Sequence, residues 1–182
     1  MDKAADAEGV FQFGGGTVIP PDVALLIFDC YETLIELEGR IYVPRKGVLE
    51  FLDRYSTIPL AVISDGDHQL VALALIQAGI ADRFAVVWGA PEALATQPDG
   101  RTLKRLDIVL QHFKIDRDRA VFIGDSPLDA EAARFHLVPF IRIPRSEDRD
   151  FSFARLLKGP SRYQSSEFTA IFLERYMQRK NK

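Results

Sequence analysis

The chain has 182 residues and a mass of 20.5 kDa, with 47% hydrophobic and 27% charged residues, the profile of one globular domain with a full core. Lys+Arg 23 against Asp+Glu 26 leaves a net charge of −3, a balance that argues against nucleic acid held by bulk charge. The one cysteine, Cys30, excludes an internal disulfide framework and a multi-cysteine zinc site, and no apolar run approaches the ~18 residues of a membrane span.

The opening Met1-Asp2-Lys3-Ala4-Ala5-Asp6 is polar and acidic, unlike a secretory signal, so the expectation is a cytoplasmic protein without a membrane partner. Residues 1–21, with Gly14-Gly15-Gly16 and Pro20-Pro21, read as a loose lead-in. Val23–Phe28 is an apolar run without period, the pattern of a strand buried on both faces. Glu38-Gly39 is a fair hairpin turn, and Pro44 is expected to open a helix carrying Val48, Leu49, Phe51, Leu52 and Tyr55. Pro59–Ile63 is a second buried strand. Residues 68–78 predict a helix stopped by Gly79, and Phe84–Trp88 a third strand.

Residues 90–100 hold two prolines and predict loop. From about Thr102 to Phe113, Leu103, Leu106, Val109, Leu110 and Phe113 recur at helical spacing. Ala120–Ile123 is a fourth strand, Leu128–Phe135 a helix and Pro139–Ile143 a fifth strand. Alternating strands and helices predict an α/β fold, a Rossmann-like doubly wound sheet of about five parallel strands. Residues 144–182 predict a helical extension, with helices near 151–158 and 166–179. Charge is uneven: residues 1–40 carry two Lys/Arg against eight Asp/Glu, whereas 141–182 carry ten against five. The basic tail is a candidate contact for an anionic partner or substrate, and a candidate oligomerisation surface.

Ligands of open α/β sheets sit at the carboxyl ends of strands. Three strands here finish on polar residues: Asp29, Ser64-Asp65 and Asp125-Ser126. Two carboxylates and a hydroxyl at one crevice suit an oxygen-loving divalent cation such as Mg²⁺, which would keep both acids ionised. The alternative for each is a polar residue resuming where its strand leaves the core.

The strings Phe28-Asp29-Cys30-Tyr31-Glu32-Thr33-Leu34, Ser64, and Gly124-Asp125-Ser126-Pro127-Leu128-Asp129 resemble motifs one, two and four of the haloacid dehalogenase superfamily, over roughly residues 22–143. Pro44-Arg45-Lys46-Gly47-Val48 and Ala78–Phe84 resemble its supporting strings. The resemblance implies Asp29 as the nucleophile, Ser64 as the hydroxyl that bonds the transferring group, and Asp125 as a Mg²⁺ ligand. Asp129 would be a second ligand or hold a metal-bound water, and Asp29 and the carbonyl of Tyr31 would complete the set. Thr33 either serves the site or closes the turn after the strand; Asp129 could equally start a helix.

Tyr31 stands where phosphatases of that superfamily usually carry a second aspartate as general acid and base. General acid–base help contributes ~10²–10⁴-fold, so monoester hydrolysis should be slowed. The Asp-x-Tyr-x-Thr pattern resembles the dehalogenases instead, but those enzymes use no metal and carry a helical cap, and no cap fits between Thr33 and Ser64 or between Ser64 and Asp125. The third-motif cation is expected at Lys104, with Arg101 as rival, because Gln97 occupies the place of a lysine in many relatives. His68 at the turn after Ser64 and the pair Arg45-Lys46 are further candidates at the rim, with solvated surface residues as the alternative. Cys30 should point away from Asp29, buried and inert.

The expected function is a capless, Mg²⁺-dependent phosphatase working through an aspartyl-phosphate on Asp29. Its substrate would be a small phosphorylated metabolite or a phosphate group on a larger partner. A catalytically weak phosphate-binding or regulatory module is the alternative, and carbon–halogen hydrolysis the third reading.

Overall fold

The computed structural model describes residues 19–157. Five strands form one parallel sheet: β1 (Leu25–Phe28), β4 (Leu60–Asp67), β5 (Val86–Ala90), β8 (Ala120–Gly124) and β9 (Phe140–Arg142), in the order β5-β4-β1-β8-β9. Alternation along β1 sends Leu26 and Phe28 to one face and Leu25 and Ile27 to the other. The first face is covered by α1 (Val48–Arg54), α2 (His68–Gln77) and α5 (Ala154–Leu157), through Phe51, Leu75 and Leu156 among others. The second is covered by α3 (Leu106–Phe113) and α4 (Pro127–His136). Strands buried on both sides read as continuous apolar runs, which is why β1 and β8 carry no polar alternation.

The chain order places β1 at the switch point. From β1 the chain winds outward through β4 and β5, then returns to the other side as β8 and β9. The crevice outside the carboxyl ends of β1 and β8 is therefore the expected ligand site of a doubly wound sheet. Between β1 and β4 lie only a hairpin, β2 (Ile35–Glu38) and β3 (Ile41–Pro44), and the short α1. No cap domain is present among the described residues.

Several elements depart from the sequence expectation. Pro44 ends β3 rather than opening a helix; it pairs opposite Ile35 in a two-stranded hairpin, where a missing N–H is tolerated. The helix starts at Val48, after Gly47 at φ 79°, and a Cβ on Gly47 would come within 2.5 Å of Ser152 Oγ and 2.9 Å of Ala154 N. That glycine lets the segment entering α5 lie against the start of α1. β4 runs on to Asp67, whose carboxylate accepts from Gln69 N at 3.0 Å and Leu70 N at 3.1 Å and so caps α2.

The larger correction concerns residues 90–105. In place of a loop and a helix from Thr102, β6 (Leu94–Thr96) and β7 (Thr102–Lys104) form an antiparallel hairpin in which Thr96 faces Thr102 and Leu94 faces Lys104. The helical spacing is real only from Leu106 onward; Leu103 belongs to it by coincidence, and a β-branched residue before it favours the strand. Near the end of the described chain, the helix expected at 151–158 is one turn, Ala154–Leu157. The helix expected at 166–179 lies outside the described residues, as does most of the lead-in.

Candidate active site

Asp29 directly follows β1, and its N–H donates to Ile123 O at 2.9 Å, which fixes it at the top of β8. Asp125 directly follows β8. Asp129 reaches the same point from the first turn of α4, where it is the third residue of a capping box: Ser126 Oγ accepts from Asp129 N at 3.0 Å, and Ser126 N donates to Asp129 Oδ2 at 3.1 Å. Gly124 makes this approach possible, because a Cβ there would lie 2.6 Å from Asp129 Oδ2. Asp129 is thus a helix-start residue and a site residue at once.

The three carboxylates are buried and offer oxygens within 4.8 Å of one another. Between Asp29 and Asp129 sits the ammonium of Lys104, with Nζ at 2.5 Å from Asp29 Oδ1 and 2.5 Å from Asp129 Oδ1. Strand β7 carries it there, and His136 Nε2 lies 3.1 Å from the Lys104 carbonyl, tying that strand to the end of α4. Arg101, the rival candidate, does not reach the site. Its guanidinium holds Asp99 at 2.5 Å and also pairs with Glu131, on the exposed side of the β6–β7 hairpin.

Thr33 Oγ1 lies 3.2 Å from Asp29 Oδ2 and 2.9 Å from Asp125 Oδ1, so a single hydroxyl hydrogen is shared between the two acids. The remaining oxygen of Asp125, Oδ2, accepts from Arg145 Nε at 2.9 Å, and its carbonyl accepts from Arg142 Nε at 3.2 Å. All six carboxylate oxygens therefore have a donor from the chain, and each keeps a second lone pair except Asp129 Oδ2, which takes two donors from Ser126. Ser64 is fully buried on β4, and its Oγ accepts from Gly66 N at 3.3 Å.

The electrostatics follow from burial. Desolvation pushes the Asp29 carboxyl up to about 7; Lys104 opposes this, while Asp129 and Asp125 add to it. Burial alone would lower the Lys104 ammonium, but Asp29 and Asp129 outweigh it and hold Lys104 charged well above its ordinary value. With all groups ionised, the three acids outnumber the Lys104 ammonium and the Arg145 guanidinium by one, so the crevice keeps a negative charge that a cation would offset. The donor set, all carboxylate oxygens, fits Mg²⁺.

Tyr31 takes no part in this cluster through its side chain. Its ring lies against Tyr42 of β3, with centroids 5.3 Å apart, and its Cε2 would be 3.0 Å from a Cβ on Gly66. Desolvation, with smaller contributions from Cys30 and Tyr42, pushes the phenol up to about 12. Cys30 is buried with its thiol pushed up, the inert state its position predicts. His68 is exposed at the start of α2. Arg45 is neither solvated nor free at the rim: it is buried, donates to the Glu32 carbonyl and stacks 5.3 Å above the Phe151 ring.

Arg142, Arg145 and the capping role of Ser126 are absent from the sequence reading. Arg142 and Arg145 bracket the carboxyl end of the fifth predicted strand, the same kind of position that singles out Asp29 and Asp125, but a charge count merges them into the basic tail.

Residues 26–143 match the family model described as haloacid dehalogenase-like hydrolase. The chain belongs to that family. A phosphoglycolate phosphatase from Rhodobacter capsulatus is 28% identical over 113 residues, which are 61% of this chain and 48% of that protein. The chain thus spans about half the length of this curated relative. Among solved structures, a haloacid dehalogenase-like hydrolase from Streptococcus pneumoniae superposes with a TM-score of 0.56 at 13% identity, covering 70% of this chain and 90% of that one. L-2-haloacid dehalogenase from Xanthobacter autotrophicus gives 0.55 at 12% identity, covering 66% and 77%. Identities this low establish the shared fold. No helix among the described residues is long and apolar enough to cross a membrane.

Proposed function

We propose that this protein is a Mg²⁺-dependent phosphatase of small phosphomonoesters or acyl phosphates that works through an aspartyl-phosphate on Asp29. The observation that carries the reading is the Lys104 ammonium, buried and 2.5 Å from both Asp29 and Asp129, beside a third carboxylate within 4.8 Å. Phosphoryl transfer asks for positioned positive charge around a nucleophile, and this cluster supplies it. The similarity to a phosphoglycolate phosphatase supports the same class of substrate.

Mg²⁺ would be held by Asp29 and Asp125 with the Tyr31 carbonyl, where it would neutralise charge on the phosphoryl oxygens. Asp129 serves chiefly to orient Lys104, since its Oδ1 takes that ammonium and its Oδ2 takes two donors from Ser126. A carboxylate oxygen of Asp29 forms a bond to phosphorus as the ester P–O bond breaks and the alkoxide leaves, taking a proton from solvent; the Ser64 hydroxyl and Lys104 bond the phosphoryl oxygens. Water then attacks the phosphorus of the acyl phosphate, giving up its proton to solvent, and releases inorganic phosphate and the Asp29 carboxylate. Thr33 orients the carboxylates of Asp29 and Asp125 toward each other through its shared hydrogen.

Tyr31 sets the rate. A phenol near 12 does not take a proton from water near neutrality, so the second step lacks its base. This observation favours, as the second reading, a phosphate-binding module with weak turnover. A screen of phosphate esters with and without Mg²⁺, on the native chain, Asp29→Asn and Tyr31→Asp, separates them. Mg²⁺-dependent turnover lost in Asp29→Asn and raised ~10²-fold or more in Tyr31→Asp is the expected result. Activity in Tyr31→Asp alone would establish the module, and halide release without metal would overturn both.

A further inference from the structure

The described residues include no cap domain, yet one segment borders the carboxylates. Residues 144–153 leave β9, turn at Arg145–Asp148, and are fastened along their length. Ser146 N donates to Glu32 Oε2 at 3.2 Å and Ser146 Oγ bonds the same oxygen, which ties the segment to the turn after Asp29. Arg149 reaches Glu36 of β2 at 3.3 Å. Phe151 and Phe153 are buried in the core, and Phe153 N donates to Lys46 O at 2.9 Å. Such a strap holds its residues at fixed places over the crevice.

Arg145 is the residue it holds over the carboxylates. Its side chain is 56% exposed, while the Asp125 side chain it meets is 4% exposed. The contact uses Nε, and the two terminal nitrogens carry four more N–H donors in the fork that matches a carboxylate or phosphate. The two oxygens of Asp125 divide the space: Oδ1 faces Thr33 and, through it, Asp29, whereas Oδ2 faces Arg145. Lys104 and Ser64 serve the reacting phosphoryl group. Arg145 stands one carboxylate further out, where the rest of the substrate would lie. Of the neighbouring acids, Glu32 and Glu147 also act on the guanidinium through space, but its hydrogen bond goes to Asp125; Glu32 accepts from Ser146 and Glu36 from Arg149.

We infer that Arg145 is a substrate-contacting, specificity-determining residue that grips an anionic group on the leaving part of the substrate, and that the favoured substrates are phosphomonoesters bearing a second negative charge such as a carboxylate. The inference rests on the phosphatase reading for its orientation of the substrate. The strap does here what a cap domain would do by enclosure: it adds a recognition group beyond the phosphoryl site.

The test is binding in the Asp29→Asn background with Mg²⁺ present, by calorimetry, with 2-phosphoglycolate and ethyl phosphate as probes. They share the phosphoryl group and differ in the carboxylate. Arg145→Gln is expected to weaken 2-phosphoglycolate by about tenfold or more and ethyl phosphate by less than about twofold, since a charge-assisted fork is worth roughly that factor. Arg149→Gln, which loosens the strap without touching the site, should leave the ratio of the two affinities unchanged, and Arg145→Lys should restore part of it. In the active chain the same change appears as a larger fall in kcat/KM for 2-phosphoglycolate than for ethyl phosphate. Equal weakening of both probes, no weakening of either, or the same shift in Arg149→Gln overturns the inference. Selective loss of 2-phosphoglycolate in a chain that hydrolyses no ester would sustain the anion grip while removing the phosphatase reading. Turnover without selectivity would do the reverse.

Discussion

At the carboxyl ends of β1 and β8 the charged side chains are buried and paired with one another, while the cations of the 144–153 strap, Arg145 and Arg149, are exposed even where they pair with Asp125 and with Glu36 of the β2–β3 flap. The floor of the crevice is set by strands that cannot move without opening the sheet. The rim is set by two surface segments held by Ser146–Glu32 and Arg149–Glu36 contacts, of which an exposed ion pair is worth only ~0–1 kcal/mol. The difference separates two tasks. Preorganised charge for phosphoryl transfer belongs on the rigid floor, and discrimination among substrates belongs on a rim that can be altered at little cost to the fold.

The largest expected effect comes from the floor. Lys104→Met leaves three buried carboxylates without their ammonium, and should lower kcat by ~10²–10³-fold and the metal-free stability by about 3–5 kcal/mol, read from steady-state kinetics and urea unfolding. Added Mg²⁺ should restore part of that stability. A rim variant such as Arg149→Gln that cost as much would erase the contrast between the two regions.

Acidity gives the next effect. The Asp29 carboxyl, raised by burial to about 7 in the metal-free protein, keeps its proton far above its ordinary 3.8. The folded value lies above the unfolded one, so this group's favourable contribution is complete below about 4 and is lost as the pH rises through about 7. Mg²⁺ must displace that proton, so its affinity should weaken by roughly tenfold for each pH unit below about 7. Calorimetric titration with Mg²⁺ on either side of that value checks this. A flat dependence would mean that the floor is less desolvated than its burial indicates.

The smallest effect falls where floor and fold share a residue. Ser126→Ala removes the hydroxyl that caps α4 and bonds Asp129 Oδ2, and should cost about 1 kcal/mol in urea unfolding with a modest fall in kcat. A loss of stability with kcat unchanged would show that Lys104 and the backbone N–H of residue 126 suffice to hold Asp129.

The floor was legible in the sequence because burial on both faces of β1 and β8 forces uninterrupted apolar runs, and the first polar residue after each run marks the strand's end. Asp29 and Asp125 follow from that; Ser64 is likewise the first polar residue after the apolar run Leu60–Ile63, although β4 itself continues to Asp67. Lys104 could be named but not placed, because the spacing of Leu103, Leu106 and Val109 imitates a helix across a strand-to-helix junction. The hairpin that lifts Lys104 over the Phe122 ring is a tertiary fact: Thr96 and Thr102 form it only when folded back on each other. The burial of Arg45 is equally invisible to local pattern, since the ring it stacks on, Phe151, is more than a hundred residues away. Arg145 was hidden because charge counts over a tail average together a residue at a strand's end and residues far beyond it.

The central claim is that Asp29 becomes phosphorylated and that Tyr31 leaves the intermediate without a base. Mixing the protein and Mg²⁺ with acetyl phosphate, a donor whose leaving group needs no proton, quenching with acid and weighing the intact chain tests both at once. The account predicts that a fraction of the native chain gains the mass of one phosphoryl group. None of Asp29→Asn should gain it, and far less should accumulate in Tyr31→Asp, where breakdown is restored. Turnover with no adduct on the native chain, or an adduct that persists in Asp29→Asn, would contradict it.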